Sequence, residues 1–367
     1  MSLNYIVQNE GIITDAVSSQ DWPGLANVDV SIVNWVKGPL DGEPPRVLDG
    51  ETVAGIDSAL RPSTIPIADV SPLSGNQGIA FQGFLPGAKF DIPPDKANEL
   101  LALTDAPYAD VVRPYLDGRD ITRTTDRRPT RYTIDFGQMA LEEAMKYPAA
   151  LEVLRGQAKE SRETSSSYSR NPRWWQFLWP RPAFRQRLEG LPRFIAGTAT
   201  AKRICFVWCE LDWRPSNSTN MFALASDYAM GILSSSIHTE WARGRSSTLE
   251  DRIRYTPSSA FETFPWPEAG RDAREAIAEA ARELLRCRDE VCDDAQIGLT
   301  DLYNLIDEGG YHEMVEVQAR LDNAVARAYG WEPAVVGNPD ETNRRLLALN
   351  LGIAAGEVPY AGPVDEP

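Results

Sequence analysis

The chain has 367 residues, enough for two or three packed units. Its hydrophobic fraction of 43% is ordinary for a globular protein, and no uninterrupted apolar run approaches the roughly 18 residues of a membrane span, so no transmembrane helix is expected. A formal net charge of −16 argues against a polyanionic partner unless the cations are gathered in one place.

They are gathered. Residues 1–100 carry 5 Lys and Arg against 13 Asp and Glu, and residues 261–367 carry 9 against 22. Residues 101–260 carry 23 against 18, and within them Arg155 to Arg214 holds 12 basic and 5 acidic residues. Because screening limits the reach of distant charges to about 10 Å, a cationic centre can bind a polyanion inside an acidic chain.

In chain order, Asn4 to Gly38 reads as strands. Val28 to Val36 alternates and then turns mostly apolar, as a strand buried on both faces does. So short a segment cannot bury a core alone and is expected to belong to a larger sheet. A Pro/Gly/acid linker follows from Pro39 to Arg46. Glycines 75, 78, 83 and 87 punctuate an expected hairpin around Ile79–Phe81 and Gly83–Leu85. Pro93-Pro94 opens a helix, and Gln138 to Gln157 is a second helical stretch interrupted near Pro148. Strands are expected at Arg193–Ala196 and Ile204–Trp208. The polar loop Asn217–Asn220 should cap a helix running from about Phe222 to Trp241, and a strand over Leu249–Tyr255 closes the unit.

Beyond Pro267 the spacing of Ile277, Ala280, Ala281, Leu284 and Leu285 predicts a helix over 270–293. A second is expected over 312–329, closed by Gly330 with Pro333 following, and a third over 341–351. The Pro/Gly/acid stretch 356–367 is expected to fray. The fold class is therefore α+β (mixed α/β). Its expected units are strands in 1–40, a mixed α/β unit over 41–267, a helical spacer or clamp over 268–355, and a flexible tail over 356–367.

Several chemistries are missing from the sequence. There is no nucleophile elbow, no phosphate-binding Gly-rich loop, no Gly-x-Gly-x-x-Gly and no His-Glu-x-x-His. His238 and His312 read as ordinary structural residues. Cys205 and Cys209, and Cys287 and Cys292, lack zinc-ligand spacing, so no metal is expected. No signal peptide pattern is visible, and four cysteines fit a reducing cytoplasm.

Three blocks carry a resemblance. Gly11 to Val33 resembles the closing strands of the catalytic domain in single-chain adenine-N6 DNA methyltransferases of the Type IIG/IIL restriction–modification group. Tyr255-Thr256-Pro257 through Phe264-Pro265-Trp266-Pro267 is similar to the boundary where that group's target recognition domain ends. Leu302-Tyr303-Asn304 with Leu321 to Trp331 is similar to its C-terminal helical segment.

The resemblance implies a double-stranded DNA partner and a parent enzyme that uses S-adenosylmethionine in restriction–modification or phage defence. The group's cofactor loop and Asn/Asp-Pro-Pro-Tyr/Phe motif do not occur here. With Met1-Ser2-Leu3 resembling an expression-vector start, the chain is expected to begin late in the catalytic domain. It would then lack the rest of that N-terminal domain, bind no cofactor itself and have no catalytic residue of its own.

Glu250, Arg252 and Arg254 alternate along the expected strand, which would turn all three to one face, and carboxylate and guanidinium groups there suit cytosine N4 and guanine O6/N7. The resemblance carries a specificity role onto these three residues and a second reading position to about Asn217 and Ser218. Arg173, Arg185, Arg187, Lys202 and Arg203 are the candidate phosphate contacts. Trp174, Trp175, Phe177 and Trp179 are expected to pack inside. Two other readings stay open: a protein–protein interaction module anchored by Trp174 and Trp175, and a hydrolase with an unrecognised carboxylate pair.

Overall fold

A computed structural model describes residues 3, 6, 11–22, 29–37, 45–53, 55–56, 60, 70–166, 171–249 and 252–363. The fold is mixed α+β, as expected. Near the N-terminus, β1 (Gly11–Asp21) pairs antiparallel with β2 (Asp29–Lys37) and parallel with β3 (Arg46–Leu48), which pairs with β4 (Glu51–Val53). Ile13, Ala16, Leu48, Ile56 and Leu60 form a small core of their own. β2 is not buried on both faces, because that small core covers too little of it: Ile32 is 48% and Trp35 40% exposed.

The remaining elements are β5 (Ala80–Gln82), β6 (Asp91–Ile92), α1 (Pro94–Leu101), β7 (Val112–Leu116), α2 (Gly118–Arg123) and β8 (Arg131–Ile134). Then come α3 (Leu141–Ala144), α4 (Pro148–Gln157), α5 (Lys159–Thr164), α6 (Pro182–Arg187), β9 (Phe194–Thr198), β10 (Thr200–Ala201) and β11 (Phe206–Cys209). After them run β12 (Arg214–Pro215), β13 (Thr219–Phe222), α7 (Asp227–Ser234), α8 (Ser236–Arg245), β14 (Ser247–Leu249) and β15 (Arg252–Arg254). The helical end is α9 (Arg271–Ala295), α10 (Leu299–Asp307), α11 (His312–Ala328) and α12 (Pro339–Ala354).

Two four-stranded sheets build the middle of the molecule, ordered β11-β9-β13-β5 and β12-β7-β8-β6. The strand at β5 pairs with β13 rather than turning back on Phe84, so the hairpin expected there does not form. Phe84 instead bridges to Ser216 and Leu85 to Trp179, contacts far away in sequence that local glycine punctuation could not reveal. The helix expected over 222–241 is two helices. Asn217–Asn220 caps neither, since Thr219–Phe222 is strand. Ser226 Oγ accepts from Ala229 N–H (3.2 Å) to start α7, and Ser235 Oγ accepts from His238 N–H (3.2 Å) to restart the chain as α8.

One hydrophobic core joins these sheets to the helical end, running from Ala80 to Leu347. The stripe Ile277, Ala281 and Leu284 faces inward from α9, and the buried Arg288 on the same helix donates from Nη1 to the Phe206 carbonyl in β11 (3.1 Å). Asn350 in α12 clasps Ser71 through both its backbone groups (3.0 and 2.9 Å) and donates to Thr263 O (2.8 Å). α11 ends as its sequence predicts, with Gly330 at φ 71° and Trp331 N–H donating to Ala326 O (2.9 Å). The stretch 356–363 is docked rather than frayed. Tyr360 donates to Asn76 Oδ1 (2.5 Å) and packs on the main core, which gives this polar segment an anchor that composition does not show.

Arg185, an expected phosphate contact, is committed to the interior instead. Its Nη2 reaches the Asp135 carboxylate at 2.7 Å, Arg214 Nε reaches the same oxygen at 2.5 Å, and its guanidinium lies 4.7 Å from the Phe84 ring centre. Burial alone would raise the Asp135 carboxyl, but the two guanidinium groups outweigh it and hold that carboxyl well below the ordinary range. The ion triad therefore supports the fold at neutral pH and loses its contribution only as pH falls past the usual carboxylate range. Asp135→Asn leaves two half-buried cations without their buried carboxylate; chemical denaturation should show a loss of about 2–3 kcal/mol.

Candidate nucleic-acid interface

A three-stranded sheet, ordered β10-β15-β14, is where sequence-distant cations meet. β14 and β15 pair antiparallel with Leu249 opposite Arg252, so the single strand expected over 249–255 is two strands. Glu250 falls between them and lies outside the described residues. On β15, Ile253 is buried while Arg252 and Arg254 are exposed, which puts both guanidinium groups on one face as their alternation predicts. β10 pairs with the other edge of β15, Thr200 lying opposite Arg254.

Next to this sheet the chain crosses from β12 to β13 through the turn Ser216–Thr219. Ser216 N–H donates to Leu116 O (2.7 Å) and Thr219 N–H closes the turn on Ser216 O (2.9 Å). Gly83 N–H donates to Thr219 O (2.9 Å), Phe84 N–H to Pro215 O (2.8 Å) and Ala199 N–H to Ser218 O (3.0 Å). A Cβ on Gly83 would stand 2.0 Å from Ser216 O, so only glycine admits this approach. Ser218 Oγ accepts from Gly118 N–H (2.9 Å) and lies 2.7 Å from Ser216 Oγ, which ties α2 to the turn. Asn217 sits exposed at the tip, and its carboxamide has no hydrogen-bond partner among the described residues.

α2 itself starts with a capping box. Asp117 Oδ1 accepts from Arg119 N–H (2.7 Å) and Asp120 N–H (3.2 Å), and Asp120 Oδ2 accepts in return from Asp117 N–H (2.8 Å). This aims the exposed Arg119 and Arg123 into the same space. Across from α2, Gly298 brings α10 so close that a Cβ would stand 2.5 Å from the Arg123 Cα. Arg203 then lies over the Tyr303 ring (5.1 Å) and pairs with Asp307, which Lys202 also approaches (3.7 Å).

The result is a cleft of about 1090 Å³ lined by six exposed cations, Arg119, Arg123, Lys202, Arg203, Arg252 and Arg254. Two carboxylates also line it, and both are engaged: Asp117 with Arg131, Asp307 with Lys202 and Arg203. Arg119, Arg123 and Arg254 have no carboxylate within ion-pair distance among the described residues. Such a surface offers guanidinium forks, an ammonium and free amides to a polyanion with hydrogen-bonding edges.

Of the residues singled out from sequence, Arg252, Arg254, Asn217, Ser218, Lys202 and Arg203 line this one cleft. Arg173 and Arg187 are exposed but not among its lining residues, and Arg185 is held in the triad described above. Sequence reasoning missed Arg119, Arg123, Gln82, Thr300 and Asn304. The spacing of Arg119 and Arg123 behind Asp117-x-x-Asp120 was a usable signal for a capped helix with two cations on one face. Trp174 is buried and Trp175 donates to Met139 O (3.0 Å), so neither stands out as a docking anchor. No group of three or more metal-ligating side chains occurs among the described residues, and no described helix is long and apolar enough to cross a membrane.

The family model for the target recognition domain of MmeI matches residues 82–268, just over half of the chain. The chain belongs to that family. DNA methyltransferase A of Bacillus subtilis (strain 168) is 34% identical over 106 residues, which is 29% of this chain and 11% of that protein. Among solved structures, the Type IIL restriction–modification enzyme MmeI in complex with DNA matches with a TM-score of 0.72 at 20% identity, over 96% of this chain and 49% of that one. At that identity the likeness establishes the fold. The chain thus spans about half of the solved relative and a smaller share of the curated one.

Tyr255, which lines the cleft, is backed by a buried His238, whose Nε2 lies 3.0 Å from the Tyr255 hydroxyl and whose ring meets Phe264 edge-on at 4.6 Å. Burial lowers this imidazole to about 3. The unfolded chain therefore binds a proton that the folded one refuses between the ordinary histidine value and about 3, and stability falls as pH drops through that window. The loss attributable to His238 should approach about 1.4 kcal/mol per pH unit, and His238→Gln should remove it, as read from denaturation midpoints between pH 7 and pH 4.

Proposed function

We propose that this chain reads DNA sequence for an adenine-N6 DNA methyltransferase, holding the recognised duplex in the cationic cleft while methyl transfer takes place on a catalytic domain outside it. The observation that carries this reading is the convergence of six exposed cations on one cleft of an otherwise acidic chain, within and beside the matched recognition region. Arg252, Arg254 and Asn217 face the duplex as base readers, with Glu250 joining them by its resemblance. Arg119, Arg123, Lys202 and Arg203 hold phosphates. Ser218 acts through the turn it fastens, since its hydroxyl is already bonded to Gly118.

S-adenosylmethionine belongs to the catalytic domain in this reading. The cleft's guanidinium and amide groups suit phosphates and base edges, which supports its assignment to the duplex. The protein would act in the cytoplasm.

Two measurements test the reading in the full-length protein. Arg254→Ala should change or relax the methylated sequence at one base pair by about 1–3 kcal/mol, whereas Arg119→Ala should weaken binding to all sequences and lower the salt slope by about one. Unchanged methylation and unchanged salt dependence in both variants would refute it. Asp307→Asn releases Lys202 and Arg203 from their shared carboxylate, so DNA binding should tighten and its salt slope steepen by up to about two in a titration of duplex binding against salt.

A further inference from the structure

The family match ends at residue 268, yet one wall of the cleft comes from beyond it. α10 contributes Thr300, Tyr303, Asn304 and Asp307, positions that fall on one helix face. Gly298 fixes this helix against α2 at backbone distance, so its exposed face is carried on the recognition unit and not on a loose appendage. Tyr303 lies under Arg203, and Asp307 is engaged by two cations. Thr300 and Asn304 are different: both are exposed to the cleft, and among the described residues neither side chain has a hydrogen-bond partner.

An unengaged carboxamide in a cationic cleft has a specific use. Asparagine presents a donor and an acceptor side by side, the pair that matches adenine N6 and N7, and a threonine hydroxyl can serve either role at a base edge. The same neutral groups can also bond phosphate oxygens, but such contacts carry no sequence preference, so a readout of sequence discrimination separates the two roles.

We infer that α10 is a second reading wall, in which Asn304 and Thr300 hydrogen-bond base edges of the duplex in addition to those read by Arg252 and Arg254. The inference rests on the cleft being the DNA site. DNA recognition then extends beyond the matched domain into the helical segment, which its acidic charge alone would have assigned a role away from DNA.

The test uses the full-length protein with Asn304→Ala, Asn304→Gln, Thr300→Ala and Arg254→Ala, each checked for an unchanged thermal unfolding midpoint. Readouts are the set of methylated sequences from a randomised duplex library and the salt slope of binding. Asn304→Ala should lose discrimination at one base pair, on the order of tenfold, with the salt slope unchanged. Asn304→Gln, which keeps the amide but displaces it, should alter preference at that same pair, and Arg254→Ala should affect a different one. If Asn304 and Thr300 variants methylate the wild-type set with wild-type discrimination while Arg254→Ala does not, the second wall is wrong and the cleft stands. A uniform loss of affinity across all sequences would also overturn base reading by α10. Should Arg254→Ala be silent as well, the assignment of the cleft to DNA fails and this inference with it.

Discussion

The turn from Ser216 to Thr219 is the constraint on which the rest of the molecule depends. It is the point where the chain leaves one four-stranded sheet and enters the other, and five backbone hydrogen bonds converge on it and its flanks from Leu116, Gly83, Phe84, Ala199 and its own closing residue. Buried backbone groups must be paired, so a chain crossing between sheets at this depth leaves almost no freedom in its path. That path sets where Asn217 projects and, through Ser218, where α2 begins. Through Ala199 and its neighbour β10 it also sets the height of β15. The groups that meet in the cleft come from positions as far apart as Gln82 and Asp307, and the shared core beneath them is what makes their separation reproducible.

The distribution of charge follows from the same economy. Of the arginines concentrated between 155 and 214, two, Arg185 and Arg214, are held by Asp135, and a third, Arg193, spans Asp227 and the Trp208 ring. A cationic segment read along the sequence is therefore not a cationic surface. The surface that results mixes residues of that segment with Arg119, Arg123, Arg252 and Arg254 from outside it, and leaves the acidic charge of α9 to exposed pairs such as Arg286 with Glu290.

The parts legible in sequence were those governed by local periodicity. Ile277 through Leu285 repeats at helical spacing and lies in α9, Gly330 closes α11, and Ile253 between two arginines marks a half-buried strand. What resisted reading was set by partners far along the chain. Phe84 bonds beside Pro215 rather than within a hairpin, a serine at 235 divides one apolar run into two helices, and Tyr360 ties down a segment whose composition looks loose. The strand carrying Arg252 and Arg254 was placed by its alternation, but α10 across the cleft was not, because nine residues with Leu299, Leu302, Leu305 and Ile306 among them are too short a run for periodicity to settle.

Gly298 has a consequence for how such a protein can diversify. Where α10 starts backbone to backbone against α2, a side chain gained at Gly298 would force the walls apart, while exchanges elsewhere on them leave that contact in place. Exchanges at the solvent-facing tips then alter which chemical groups meet a ligand without altering the gauge of the opening. A scaffold of this kind can trade one target for another in single steps, each variant presenting a new face within the same rigid frame.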